Sequence, residues 1–536
     1  MTAPLRRRPL LRTAGARTSI SLALALAVTV TATPTVSADP GATIDGAFAG
    51  IGERAAGSVL ELDVAGRGGT PSTVGAVALN LTLTGASGPG FATVYPCGSA
   101  RPDASSINFG SGQTIANGLI ASVGTGGRVC VYTSQRTHIL ADVSGSFGSG
   151  SDYRAQNPVR LLDTRGGATT IDGRSAGQGA VAAGQTVEVA VGGRGGVVAD
   201  ASAVALNLTI TEAAGPGFAT IYPCGSPRPD ASTINFGGGE TIANGVIATV
   251  GRGSTVCVYT SQAAHLVADV SGSFGGGYRG LNQVRLLDTR PDGGTVDGRH
   301  AGGGLSGAGA VVEFDVTDRG GTPGSVTAVT LNLTVTQTGG PGFATVYPCG
   351  SARPDASTVN FRAGHTVANT VIAPVGPDGT VCIYTSAPTH LVGDVSGVLG
   401  SGTGYRAQSP ARILDTRRVP DPPNDAAQRS LALLNELRAR HGVGPVVLDP
   451  AMSAAALAWS AEMSRSGFRH STLGYAENIA WHSSALSPEQ AAQQFHQMWV
   501  DSPGHFRNMI DPRVTRVGIG MYLAGSGWYG THLFAG

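Results

Sequence analysis

The chain contains no lysine; apart from histidine, every cationic side chain is arginine. Coding bias in a GC-rich genome accounts for that without a functional demand. Charge of either sign is scarce: 13% of the 536 residues are charged and the formal net charge is +1. A nucleic-acid footprint needs a basic surplus gathered on one face, so nucleic acid is excluded as a partner. Long apolar runs are missing too. Ile20–Ala32 falls below the roughly 18–20 residues that span a bilayer, so the mature protein is expected to have no transmembrane segment. No HExxH and no CxxC spacing occurs, which removes two common zinc patterns. Glycine is abundant at 81 residues but has no triplet period, so it reads as turns between strands rather than collagen.

The N-terminus carries a targeting pattern. Arg6, Arg7, Arg8, Arg12 and Arg17 precede the apolar stretch, and the small residues Val36, Ser37 and Ala38 follow it. Residues 1–38 read as a signal peptide cleaved before Asp39. Arg7–Leu11 loosely resembles a twin-arginine signal, but the cysteines argue for the general route taken by unfolded chains. The protein is expected to be secreted, extracellular or cell-wall associated.

The chain then repeats itself. "NLTLTGASGPGFATVYPCG" (80–98) returns at 207–225 and 332–350, and "RLLDTR" (160–165) returns at 285–290 and, as "RILDTR", at 412–417. The period is about 126 residues from Asp163 to Asp288 to Asp415. A phase that ends on this motif divides the chain into copies at 39–165, 166–290 and 291–417. Each copy holds β-branched or alternating runs cut by Gly, Pro, Asp and Ser, which predicts six to eight strands in a β-sandwich. A period this long is unlike a propeller blade or solenoid rung, so three separate beads are expected.

All six cysteines lie in the repeats, as Cys97/Cys130, Cys224/Cys257 and Cys349/Cys382. Six cysteines allow 15 pairings. The constant spacing favours one bridge inside each copy, and export favours its persistence. His138, His265 and His390 each precede an aspartate by four residues: Asp142, Asp269 and Asp394. On a strand such pairs share a face. They are read as an inherited polar strand pattern, with ligand contact the alternative. The Asp and Arg of the "LDTR" motif read as a same-face ion pair. The sequons at Asn80, Asn207 and Asn332 fall inside predicted strands and read as chance.

After Arg417 the composition changes. Residues 418–424 form a Pro-rich linker, and helix periodicity begins. Asp425 and Gln428 are spaced as a capping box before a helix ending at Gly442. Asp449, Pro450 and Gly467 bracket a second helix, and Ser487, Pro488 and Gln490 open a third. Two strand-like runs close the chain. Residues 425–536 are therefore expected to be a small α+β domain.

The segments "LNELRARHGVGPVVLDPAMSAAALAWS", "FRHS", "GYAENIAW", "MWVDSPGHFRNMI" and "RVGIGMY" resemble the CAP superfamily of cysteine-rich secretory, antigen 5 and pathogenesis-related proteins, also called SCP domains. The resemblance implies an α-β-α sandwich with a cleft lined by two histidines and two acids. By position these are His470, Glu477 and His505. The family's second glutamate would stand at Ser502, with Asp501 one place before, so the tetrad is incomplete; Asn508 follows on the same segment. His470 and His505 are the candidate ligands for a divalent metal, zinc or calcium. Glu477 is the candidate ligand or base of a catalytic set with them. His441, His482, His496 and His532 are read as ordinary surface or core residues.

The favoured function is binding of a small ligand, a metal, or a lipid or cell-wall polymer, with the β repeats as spacers or attachment modules. The alternatives are a metal-assisted hydrolase of peptide, peptidoglycan or ester, and a structural or adhesive surface protein.

Overall fold

A strand exposed on one face alternates buried and exposed side chains. The Asn-Leu-Thr strand of the first copy, Ala76–Thr84, does not: eight consecutive residues are buried. The corresponding strands Ala203–Thr211 and Ala328–Thr336 behave alike. The sheet that holds each of these strands must therefore be covered on both faces. The computed structural model, which describes residues 43–417, 425–483, 486–524 and 527–536, shows what covers them. The expected signal peptide and the linker 418–424 lie outside the described residues.

Residues 59–415 form six four-stranded antiparallel sheets, paired into three sandwiches. One face of Ala76–Thr84 turns Val77, Leu79, Leu81 and Leu83 into the core of its own sandwich. The other face carries Ala76 and Ala78 into a cluster shared by all three units, with Phe147, Tyr153, Phe274, Tyr278, Leu399 and Tyr405. The aromatic rings there lie 4.8–4.9 Å apart in consecutive pairs, such as Tyr153–Phe274 and Phe147–Tyr405, within the favourable range for tilted rings.

The three-bead expectation fails here. The strand Tyr153–Asp163, which the sequence phase puts at the end of the first copy, pairs with His265–Phe274 of the second. Tyr278–Asp288 pairs with His390–Leu399 of the third. Tyr405–Asp415 returns to pair with His138–Phe147 of the first. The structural units are thus 153–274, 278–399, and a first unit assembled from the two ends of the repeat region. Two units are continuous stretches of chain, and the first is completed by Tyr405–Asp415 from the far end of the repeat region. The period was visible in the sequence; its phase was not, because a repeat has no intrinsic starting point.

The same strands explain the repeated polar residues. Arg160, Arg285 and Arg412 meet Asp269, Asp394 and Asp142 across the exchange at 2.8–2.9 Å. His138 Nδ1 lies 3.2 Å from Thr416 Oγ1, and His265 and His390 meet Thr164 and Thr289 in the same way. These histidines and aspartates fasten one strand to the next. The Asp–Arg pair of "LDTR" is present in all three units at 2.6 Å.

The sequon asparagines lie between units, Asn80 and Asn332 buried and Asn207 partly so. Asn117 donates to Asn207 Oδ1 at 2.9 Å, Asn244 to Asn332 at 3.1 Å and Asn369 to Asn80 at 2.8 Å, a cyclic set. Backbones approach so closely there that a Cβ on Gly118 would collide with the carbonyl of Thr370. The disulfides Cys97–Cys130, Cys224–Cys257 and Cys349–Cys382 each lie inside one unit.

The C-terminal region holds α1 (Asp425–Arg440), α2 (Pro450–Ser466), α3 (Pro488–Val500) and α4 (Pro503–Met509). Its sheet runs in the order Val447–Leu448, Arg516–Ala524, Gly527–Ala535, Ala476–His482. Along Arg516–Ala524, Val517, Ile519 and Met521 pack into a cluster with Leu434 of α1 and Phe495 and Trp499 of α3. The alternate residues Gly518 and Gly520 lie under α2, where a Cβ would strike the backbone of Met452 and Ala456. Glycine at these two positions lets α2 seat directly on the sheet. Asp449 caps α2 by accepting from the Met452 amide at 3.0 Å, and Ser487 with Gln490 forms a capping box on α3.

Candidate functional site

Four local features position the candidate side chains. First, α2 ends at Gly467, whose φ of +100° lies in the region that favours glycine. Second, Trp459 of α2 donates from Nε1 to the Arg469 carbonyl at 3.2 Å, and the Arg469 guanidinium lies over the Trp459 ring. The chain leaving α2 is pinned there, one residue before His470. Third, a turn through Gly474, with φ +78°, reverses the chain into the strand Ala476–His482. Fourth, Asn478 on that strand donates to the His505 carbonyl at 3.1 Å, and Asn508 of α4 donates to Asn478 Oδ1 at 2.9 Å. These two amides fix the short helix α4 against the strand and so fix His505.

The result brings His470, Glu477 and His505 together. His470 Nδ1 and Glu477 Oε2 are 2.6 Å apart, and the His470 and His505 rings have centroids 6.3 Å apart. Glu477 Oε2 also accepts from the Ser471 amide at 2.9 Å. The Glu477 side chain is 6% exposed, whereas that of His470 is 60% exposed. The carboxylate is covered, while the imidazole it contacts faces solvent. Its Oε1 is buried with no hydrogen-bond partner. Burial and the neighbouring His470 both hold the His505 imidazole below its usual range, which favours its neutral form.

Asp501 and Ser502 are not drawn into this group by any described contact. Asp501 Oδ1 accepts from Gln497 on α3 at 2.8 Å, and the Ser502 carbonyl accepts from the Phe506 amide at 2.8 Å. Asn508 contributes by positioning α4. Asn478 was missed from the sequence, although its place next to Glu477 on a strand whose neighbours are buried was a usable signal.

Carboxylate contact at Nδ1 leaves His470 Nε2 as the outward nitrogen, the arrangement that orients an imidazole for a metal. His470 and His505 fit a cation held by two imidazoles. They do not make a closed site. Among the described residues, the one set of three ligand atoms within 4.8 Å is Glu313, Cys349 and Cys382, and those two sulfurs are joined in a disulfide.

The remaining histidines are structural where they are buried. His532 is fully buried, with Nε2 2.8 Å from Ser430 Oγ and its ring 4.3 Å from that of Trp499. Burial, followed by the nearby His496, pushes it down to about 3. In the unfolded chain it takes a proton near pH 6.5. Its contribution to stability is therefore complete above that pH and is lost as pH falls toward 3. The slope is about 1.4 kcal/mol per unit, so about 2–3 kcal/mol should disappear between pH 6.5 and 4.5. All four tryptophans (459, 481, 499 and 528) lie in this C-terminal region, so urea unfolding followed by tryptophan fluorescence isolates it in the whole chain. A His532→Gln variant should show the smaller acid loss.

Residues 431–535 match the model of the cysteine-rich secretory protein family, CAP. Among solved structures, the chain is similar to an extracellular protein containing an SCP domain from Bacillus anthracis str. Ames, at 19% identity. That alignment covers 26% of this chain and 56% of that one, with a TM-score of 0.17. It is also similar to a cysteine-rich secretory protein from Staphylococcus aureus subsp. aureus Mu50, at 12% identity, 28% and 52% coverage and a TM-score of 0.15. The chain thus spans little more than half the length of either protein. A triple jelly roll protein of an archaeal virus aligns at 6% identity over 65% of this chain and 85% of its own, with a TM-score of 0.17. No curated protein matches the chain. The segment that carries His470, Glu477 and His505, about a fifth of the whole, is a CAP domain.

Proposed function

We propose that this is an exported protein whose CAP domain binds a divalent cation, and through it a small ligand, without performing hydrolysis. The observation that carries the reading is the Glu477–His470 contact of 2.6 Å beside the His505 ring. Glu477 holds the His470 proton at Nδ1 and presents Nε2 to the opening. His505 supplies the second nitrogen donor. Two imidazoles suit zinc better than calcium, which prefers oxygen ligands. With two protein donors where catalytic zinc sites use three, binding should be weak and should leave positions for a donor atom of a ligand. Phe468, Leu473 and Tyr475 are exposed on the same segment, at 52%, 43% and 42%, and offer it apolar contact. Hydrolysis would need a base facing the opening, but Glu477 spends one oxygen on His470 and Ser471 and is nearly inaccessible. The three disulfides favour an oxidising compartment and hence export.

Isothermal titration with Zn²⁺ is expected to give one site at pH 7.5 and a loss of at least tenfold in affinity at pH 5.5, because the ligands must be neutral. His470→Ala should abolish binding. Glu477→Gln should weaken it by about 10–100-fold, the usual effect of removing such a partner. Equal binding by wild type and His470→Ala, or none by either, would refute the proposal.

A further inference from the structure

At the junction of the first and second β units the surface folds into a recess of about 280 Å³. Phe91 and the loop Arg101–Ser105 form one side; Arg160 and Thr209 of the second unit face them. The Thr209 residue is 4% exposed, and its hydroxyl has no hydrogen-bond partner. The corresponding Thr82 and Thr334, at 2% and 5%, are orphaned in the same way. Buried hydroxyls are nearly always paired, and these three stand at equivalent positions with no partner supplied by the chain.

The surroundings indicate its chemistry. Arg101 lies 3.8 Å from the centre of the Tyr132 ring, which itself sits 5.9 Å from Phe91. The set recurs as Arg228, Tyr259 and Phe218 and as Arg353, Tyr384 and Phe343. The inter-unit amide bonds from Asn207 to the Ser105 carbonyl, from Asn332 to Ser232 and from Asn80 to Ser357, each 2.6 Å, place the three loops alike. Charge is balanced: Arg160 pairs with Asp269 and Asp163, Arg165 with Asp163, and Asp103 stands exposed 3.9 Å from Arg160. The recess therefore suits no free anion. It offers an aromatic edge, hydroxyls and a carboxylate in a volume just below the small-molecule range of about 300–1,000 Å³, room for about one or two sugar rings.

We infer that the three unit junctions are equivalent binding sites for neutral sugar residues of a polysaccharide. The sugar hydroxyls answer the orphan threonine and the loop aspartate, and the apolar face of the ring rests on the phenylalanine. Three sites on one closed scaffold bind a polymer with an avidity about 10²–10⁴ above that of one site.

The test is titration of the whole disulfide-bonded chain with maltohexaose, cellohexaose and chitohexaose, with polygalacturonate as an anionic arm. At least one neutral hexasaccharide should bind. Thr82→Val, Thr209→Val and Thr334→Val together replace unpartnered hydroxyls by an isosteric group, so the melting midpoint should hold while affinity falls by about tenfold. Should that variant fail to fold, Phe91→Ala, Phe218→Ala and Phe343→Ala carry the test, each expected to remove one site. No binding of any neutral oligosaccharide overturns the inference. So does binding that survives both sets of substitutions, or binding confined to polygalacturonate and abolished by salt.

Discussion

Arg412→Ala should destabilise the first β unit by about 3–5 kcal/mol, the cost of removing one partner from a buried ion pair. Arg412 is 4% exposed and its partner Asp142 2%. The guanidinium donates from Nε to Asp142 Oδ1 at 2.9 Å and from Nη2 to Oδ2 at 3.3 Å. Burial already raises the Asp142 carboxyl above its usual range, against the pull of Arg412. Without the arginine the aspartate must take up a proton or draw water between the sheets. The two residues are 270 positions apart, so three independent beads would leave the first unit indifferent to this change. In the closed arrangement, hydrogen exchange should accelerate in His138–Phe147, the strand that Tyr405–Asp415 covers. Replacing both partners by leucine should recover much of the loss, because a matched apolar pair strands no charge.

Arg438→Met should unfold the CAP domain more readily, also by about 3–5 kcal/mol, since each buried acceptor left unpaired costs about 1–3 kcal/mol and relaxation recovers part of the sum. Arg438 is 1% exposed. Its guanidinium donates to the carbonyls of Gly444 (2.7 Å), Met509 (2.8 Å), Asp511 (3.1 Å) and Val514 (2.9 Å). The Met509 carbonyl lies at the C-terminal end of α4, where the helix dipole favours a cation. One side chain thus ties α1 to the segment joining α4 to the sheet. Methionine keeps an unbranched apolar stem and loses every donor. Lysine keeps the charge with one compact donor group, so Arg438→Lys should fall between. Urea unfolding read by tryptophan fluorescence measures this without interference from the β units, which contain no tryptophan.

Arg438 also shows where reading the chain succeeds and where it stops. Helix α1 was apparent from its spacing, yet Arg438 stands in line with Ala427 and Leu434, both fully buried. A charge inside an apolar stripe was the available sign, but three of its four acceptors are backbone carbonyls 71–76 residues away, and no local pattern announces them. In the repeats, strand content and cysteine pairing followed from periodicity and constant spacing. The exchange of Tyr153–Asp163 did not, because identical repeats can pair within a copy or with the next one using the same side chains. Only three-dimensional closure distinguishes the two. At the cleft, motif order located His470, Glu477 and His505, whereas the placing of Glu477 behind His470 depended on a turn and on Asn478, which the motifs do not specify.

The central claim concerning function is that His470 and His505 face one cation while Glu477 supports the first imidazole from behind. Crystals of the whole chain soaked in zinc, with anomalous difference maps recorded at the zinc edge, test it most directly. The expected result is one peak in the cleft about 2.0–2.1 Å from His470 Nε2 and from a His505 nitrogen, with Glu477 still on Nδ1. A peak on Nδ1 with Glu477 displaced, or an empty cleft in crystals that bind zinc elsewhere, would contradict it.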